Sequence, residues 1–269
     1  MDSATNEEET GMAIVPGPVR ENAWADMFRA SKLATRGRYR LRNLLSNHPS
    51  LFLTIMRRRS AHREHVIESD TEIMIEGYPR SGNTFAVAAF ELAQVRPVRI
   101  ARHLHASAHV IVGAQRGLPV LVVIRNPIDA VTSLVIRHPG LHVSDCLAAY
   151  LSFHKHLLPF RADIVVAPFD RVITDFGSVI SDVNLRFGTS FTLFQHTPES
   201  VAAVFDLVDE MDRVDVTRRS MKRAETVARP TREREVRKAQ VRELLHRRQL
   251  APLVGAARTI YQEFLDVGR

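Results

Sequence analysis

The segment Thr71-Glu72-Ile73-Met74-Ile75-Glu76 runs straight into Gly77-Tyr78-Pro79-Arg80-Ser81-Gly82-Asn83-Thr84-Phe85, and that junction constrains this chain more than any other stretch. The apolar entry predicts a buried strand. Two glycines and a proline then break it. Behind them, Phe85-Ala86-Val87-Ala88-Ala89-Phe90 predicts the first turns of an apolar helix. Strand, glycine turn and helix N-terminus together make a cradle for an anion. The turn's N–H groups converge on the ligand, and the helix dipole favours negative charge there.

The spacing follows a P-loop, Gly-x-x-x-x-Gly-Lys-Thr, with one departure. Asn83 stands where the lysine that grips a β/γ-phosphate would be, and the positive charge has moved back to Arg80. The pattern therefore predicts a site for a phosphate-bearing nucleotide other than Mg-ATP. A second buried strand, Pro119-Val120-Leu121-Val122-Val123-Ile124, ends in Arg125-Asn126-Pro127, and a helix follows that carries Asp129, Thr132 and Ser133. An arginine at a strand's C-terminal end, with a hydroxyl two helical turns on, can clamp a second phosphate through charge-assisted hydrogen bonds. Ligands of open α/β sheets bind at that edge.

Taken together, the segments Pro79-Arg80-Ser81-Gly82-Asn83-Thr84-Phe85 and Arg125-Asn126-Pro127-Ile128-Asp129…Ser133 resemble those of the sulfotransferases that use 3′-phosphoadenosine 5′-phosphosulfate (PAPS). The first resembles their Pro-Lys-Ser-Gly-Thr-Thr-Trp loop for the 5′-phosphosulfate, the second their 3′-phosphate segment. Between them, Arg102-His103-Leu104-His105 falls where the family carries a catalytic histidine. The close resemblance covers roughly residues 72 to 137, with a weaker continuation to about 190.

The resemblance implies transfer of a sulfuryl group from PAPS to an acceptor hydroxyl or amine by in-line displacement, with no metal required. It implies that Arg80 meets the charge on the leaving oxygen, and that Ser81, Gly82, Asn83 and Thr84 hold the 5′-phosphate. Phe85 would pack on adenine, and Arg125 and Ser133 would bind the 3′-phosphate. His103 would be the general base, with His105 behind it; Glu91 is a third candidate by analogy, but the spacing of such glutamates would fall on Ala88, so Glu91 reads as a solvated helix residue. Histidine suits that task because its ordinary pKa lies near neutrality. Asp129 is read as capping or orienting its turn, and Phe169 as lying near the nucleotide. The family's C-terminal glycine-and-lysine loop is not evident, and Arg232, Arg234, Arg237 and Lys238 are candidates to replace it. Two other readings stay open: a P-loop kinase or NTPase, and a nucleotide-binding module without turnover.

At 269 residues, with ordinary apolar and charged fractions, the chain suits one α/β domain with appended helices. A single cysteine, Cys146, excludes an intrachain disulfide framework and any multi-cysteine zinc site. It sits in a helical pattern and is read as a buried, inert thiol. No apolar run reaches the ~20 residues of a spanning helix, and the acidic N-terminus is unlike a signal peptide. A soluble, cytoplasmic protein is expected. The net charge of +7 concentrates at 29–63 and 213–248. Those clusters read as solvated helix faces, or as a surface for an anionic glycan, an acidic lipid or a peripheral membrane contact. No nucleic-acid module is present.

Alternating strands and helices predict a three-layer, mostly parallel, doubly wound α/β sheet with a P-loop-like phosphate loop and appended basic helices. Residues 1–20 are expected as a disordered tail and 21–70 as a basic helical extension broken near His48-Pro49. The α/β domain with its C-terminal helices takes 71–269. Strands are expected at 72–78, 98–101, 119–125 and 163–168, helices at 127–137, 197–211 and, interrupted near Pro252, 233–264, and an irregular basic stretch at 214–230.

Overall fold

The computed structural model describes residues 22–59, 64–219 and 232–266. The tail expected at 1–20 lies outside them. Four strands, Ile73–Gly77 (β1), Ile100–Arg102 (β2), Val120–Ile124 (β3) and Val165–Pro168 (β4), form one sheet in the order β2-β1-β3-β4. Every pairing is parallel, with Ile73 opposite Ile100, Ile75 opposite Leu121 and Val122 opposite Val166.

The two-residue alternation of strand side chains sorts the sheet onto two cores. Ile73, Ile75, Leu121 and Val123 pack on one face with the helices Asn83–Ala93 (α3), Phe176–Phe187 (α8) and Pro198–Arg219 (α9). Met74, Val120, Val122 and Ile124 pack on the other. Their partners there are Pro49–Arg58 (α2), Ser107–Gln115 (α4), Pro127–Arg137 (α5), Val143–Leu157 (α6) and Ala251–Asp266 (α11). Both faces are covered, so the strands read as continuous apolar runs. The three-layer parallel architecture expected from the alternation is the one observed.

Chain direction places a crevice. From β1 the chain moves through α3 to β2 on one side. From β2 it returns through α4, on the opposite face, to β3 on β1's other side. The strand order therefore reverses at β1 and β3, and their C-terminal ends open onto the switch point where ligands of such sheets bind.

The N-terminal helix Asn22–Leu45 (α1) and α2 are joined to the domain by specific contacts. Pro49 takes the first turn of α2, where its missing N–H costs nothing, so the expected break falls at Ser46–His48. Phe52, Leu53 and Met56 are buried against the domain core, worth about 2 kcal/mol each. Arg40 donates to the nearly buried Asp145 carboxylate at 2.6 Å, and Arg36 pairs with the same group. Those contacts lower the Asp145 pKa against the upward push of its burial. Part of the basic excess is thus spent on an internal ion pair.

Some expected bounds shift. Strand β2 begins two residues late, at Ile100. The helix expected to end near Met211 continues to Arg219, so 214–219 is helical and not irregular, while 220–231 lies outside the described residues. A short helix, Phe169–Thr174 (α7), follows β4 where none was expected. The C-terminal helical stretch breaks at His246–Leu250, between Arg232–Leu245 (α10) and α11, just ahead of Pro252.

Candidate functional site

Gly77, the last residue of β1, has no room for a side chain. A Cβ there would lie 2.3 Å from the Val123 carbonyl oxygen. Its absence lets β1 and β3 run side by side to their ends. The chain then turns through Tyr78, Pro79 and Arg80, whose φ is +69°, into Gly82, whose φ of +100° caps α3. Gly82 is obligatory for a second reason: a Cβ would meet the Phe169 ring at 2.9 Å. Beyond it, Asn83, Thr84 and Phe85 supply the first-turn N–H groups that a helix cannot bond internally.

The two strand ends meet. Arg80 Nε donates to Ser133 Oγ at 3.0 Å, and Arg125 Nη1 donates to the Arg80 carbonyl at 3.0 Å. The Arg125 guanidinium lies 4.0 Å from the centre of the Phe169 ring, in cation–π contact. Burial pulls the Arg125 pKa down, against the nearby Asp129 and Asp170. Helix α6 braces both segments from behind. Tyr78 Oη donates to the Cys146 carbonyl at 2.9 Å, and Tyr150 Oη donates to the Arg125 carbonyl at 2.8 Å.

The other expected residues take definite places. Ser81 is buried, and its Oγ has no hydrogen-bond partner among the described residues; neither has the buried Thr132 Oγ1. Asn83 folds back, donating from Nδ2 to the carbonyls of Tyr78 at 3.1 Å and Gly77 at 3.4 Å. Thr84 is half-buried on the first turn of α3. Phe85 is buried near the Phe205 and His196 rings, in the α3–α9 core. Cys146 is buried with a free thiol, whose pKa burial pushes up to about 12.

One expectation is corrected. Asp129 does not cap the turn. Asn126 does, accepting the Ile128 N–H on Oδ1 at 2.9 Å, while Asp129 pairs with Arg242 of α10 at 2.8 Å. Asp129 sits too far along the first turn to reach the amides that a cap satisfies. Glu91 is held in an ion pair with Arg102, which occupies the carboxylate that a base would need. On α10, Lys238 pairs with Glu235, and the Arg232 and Arg234 side chains lie outside the described residues.

Both candidate bases sit on the turn after β2, and both adopt left-handed backbone, with φ of +58° at His103 and +47° at His105. His103 Nε2 is sealed from solvent and has no partner among the described residues. Burial, then the neighbouring His105, drives the His103 pKa down to about 3. His105 Nδ1 lies 2.8 Å from the Gly77 carbonyl. A carbonyl only accepts, so the proton is on Nδ1.

Sequence reasoning missed Glu76. It is fully buried on the otherwise apolar face of β1. Its carboxylate accepts from Leu104 N at 2.7 Å, His105 N at 3.0 Å and His109 Nδ1 at 3.0 Å. Burial pushes its pKa up, but the His109 hydrogen bond and the other donors outweigh that and hold the carboxyl below the ordinary range. The Ile67 N–H donates to His109 Nε2 at 3.1 Å, so Nδ1 carries the proton that faces Glu76. The available signal was an acid inside a strand with both faces buried. Among the described residues, no group of three or more His, Cys, Asp or Glu side chains is arranged to hold a metal, and no helix is long and apolar enough to cross a membrane.

Fold and site together define a parallel α/β protein in which a strand–turn–helix junction and an arginine-bearing strand end stand side by side at the switch point. No protein-family model matches the chain, and no curated protein matches it. Among solved structures, the crystal structure of mouse sulfotransferase SULT7A1 complexed with PAP is similar at 14% identity, with a TM-score of 0.34. The match covers 71% of this chain and 90% of that one. It is too loose to carry any residue from one chain to the other.

Proposed function

We propose that this chain is a sulfotransferase that moves a sulfuryl group from PAPS to an acceptor hydroxyl or amine by in-line displacement. The observation that carries the reading is the joining of the two strand ends, Arg80 to Ser133 and Arg125 to the Arg80 carbonyl. One ligand with phosphates at both ends of an adenosine would meet both segments at once. The donor set fits such a group. It offers first-turn N–H groups, two arginines, and buried hydroxyls at Ser81 and Thr132 that have no partner among the described residues. Phe169 adds an aromatic face beside Gly82.

PAPS supplies the activated sulfuryl group and a bisphosphate leaving group. The remaining work falls to the chain. The N–H groups of Gly82, Asn83 and Thr84, with the Ser81 and Thr84 hydroxyls, hold the 5′-phosphate. Arg80 neutralises charge on the departing oxygen, and such preorganised neutralisation is the main catalytic term in transfers of this kind. Arg125 and Ser133 hold the 3′-phosphate. Phe85, packed inside the α3–α9 core, shapes the adenine side. A histidine of the 103–105 turn takes the acceptor's proton. Against a kinase or NTPase stands Asn83, whose side chain is turned back onto β1 and brings no cation to a γ-phosphate.

The test compares nucleotides. Arg125→Ala weakens adenosine 3′,5′-bisphosphate about 30-fold and 5′-AMP less than threefold, as loss of a charge-assisted contact to one phosphate requires. Equal losses for the two ligands would remove Arg125 from a 3′-phosphate site.

A further inference from the structure

Three non-glycine residues among those described have positive φ, and all three are here: Arg80, His103 and His105. Left-handed backbone costs of order 1 kcal/mol per such residue. It persists where surrounding contacts over-determine it, and it clusters at functional sites.

For the histidine turn, the restraining contacts can be named. Glu76 accepts the N–H groups of Leu104 and His105 from the sheet side. Arg42, from α1, donates to the Leu104 carbonyl. Burial lowers the Arg42 pKa. One buried carboxylate and one half-buried guanidinium thus clamp a single peptide turn from opposite sides. Glu76 is itself fixed by His109, which is fixed in turn by the Ile67 N–H. A buried carboxylate is costly unless it is fully satisfied. Here two of its three donors are N–H groups of the turn itself.

The clamp leaves the two histidines unequal. Its bond to the Gly77 carbonyl puts the His105 proton on Nδ1, so in the neutral ring Nε2 carries the lone pair. His105 lines a small pocket of mixed polarity beside the glycine turn, with Asn43, Ser46, Tyr78, Pro79, Ser152 and Phe153. His103 does not line it, and its Nε2 is sealed. Burial lowers the His105 pKa, and the Glu76 carboxylate, 3.8 Å from Nδ1, pulls the other way and favours an imidazolium once one forms.

We propose that His105 is the general base of the transfer, and that Glu76 is the positioning residue that fixes its backbone, its tautomer and its capacity to hold a proton. The proposal rests on the sulfotransferase reading. The acceptor's O–H or N–H proton passes to His105 Nε2 as the acceptor atom forms its bond to sulfur. The bond from sulfur to the bridging oxygen of the 5′-phosphate breaks, and that oxygen leaves with the electron pair toward Arg80.

The test needs no acceptor identity. Wild type, His105→Ala, His103→Ala, Glu76→Gln and Glu76→Asp are incubated with PAPS, with water as acceptor, and release of adenosine 3′,5′-bisphosphate is followed against pH. Bisphosphate affinity, measured by calorimetry, reports folding. His105→Ala is expected to lose about 100-fold in turnover, at least tenfold more than His103→Ala, with affinity within threefold of wild type. Glu76→Gln is expected to lose about tenfold and to move the acid limb of the pH profile lower, because the removed charge had favoured the imidazolium; Glu76→Asp restores part of both. Should Glu76→Gln lose bisphosphate affinity as well, the His105 ring titration in wild type, followed by NMR, takes its place, and a ring protonated on Nε2 when neutral would overturn the proposal. Turnover preserved in His105→Ala, or a larger loss in His103→Ala, would overturn it while leaving the sulfotransferase reading intact. A wild type that fails to bind the bisphosphate, or binds it and never turns over PAPS, would overturn both.

Discussion

Arg80 Nε donates to Ser133 Oγ at 3.0 Å, across 53 residues of chain. The first residue lies in the turn after β1 and the second on the helix after β3. The parallel pairing of those strands brings them together. In the proposed reading, this bond spans the interval between two phosphates. Ser133→Ala is expected to weaken adenosine 3′,5′-bisphosphate about tenfold while shifting unfolding stability by no more than about 1 kcal/mol, since the serine is only half-buried. Calorimetry and urea unfolding on one preparation check both. A stability loss without an affinity loss would make the bond purely structural.

Gly77 carries the close approach of β1 and β3. A Cβ 2.3 Å from a backbone carbonyl cannot be relieved by a rotamer change. Gly77→Ala is expected to destabilise by about 3 kcal/mol or more, because backbone must move to admit a methyl group. A urea midpoint within about 0.5 kcal/mol of wild type would contradict the strand spacing described.

His154 sets a pH dependence of stability. It is fully buried among Tyr78, Tyr150, Phe153 and Phe264. Burial lowers its pKa to about 4, against the upward pull of its bond to the Tyr150 carbonyl. In the unfolded chain it titrates near 6.5. The unfolded state therefore binds the proton first as pH falls, and folding loses stability from about pH 6.5 down to about pH 4, by about 3 kcal/mol. His154→Phe is expected to flatten the Tm profile over that window. An unchanged slope would assign it to other groups.

Much of the sheet was legible because burial on both faces forces continuous apolar runs, as in Val120–Ile124, and because punctuation is local. The helix at 127–137 has the expected bounds, since Asn126 and Pro127 open it and His138-Pro139-Gly140 closes it. Helix α7 was not legible, because six residues starting at Phe169 carry too little periodicity to separate helix from loop. Arg80, Ser133 and Arg125 were legible one by one through motif spacing, but their mutual contacts are long-range. Glu76 illustrates the limit most clearly. An acid inside a buried strand needs partners, and its partners Leu104, His105 and His109 are 28 to 33 residues away in sequence. Arg42 is a similar case. In the sequence it is one of many basic residues, and its contact with the Leu104 carbonyl spans 62 residues.

The basic extension is anchored to α6 through charge, at Asp145. Asp145→Asn removes the pairing of Arg36 and Arg40 with α6. It is expected to speed amide hydrogen exchange about tenfold at 36–45, with little change at 120–124. Unchanged exchange would mean that apolar packing alone holds this part of α1.

The most direct measurement of the central claim is a calorimetric titration of the wild-type chain with adenosine 3′,5′-bisphosphate, beside ATP with Mg²⁺. The paired arginines, and the Asn83 side chain turned back onto β1, predict micromolar or tighter binding of the bisphosphate, with ATP at least 30-fold weaker. Tight Mg-ATP binding with a weak bisphosphate would contradict the account and return the glycine turn to the kinase and NTPase class.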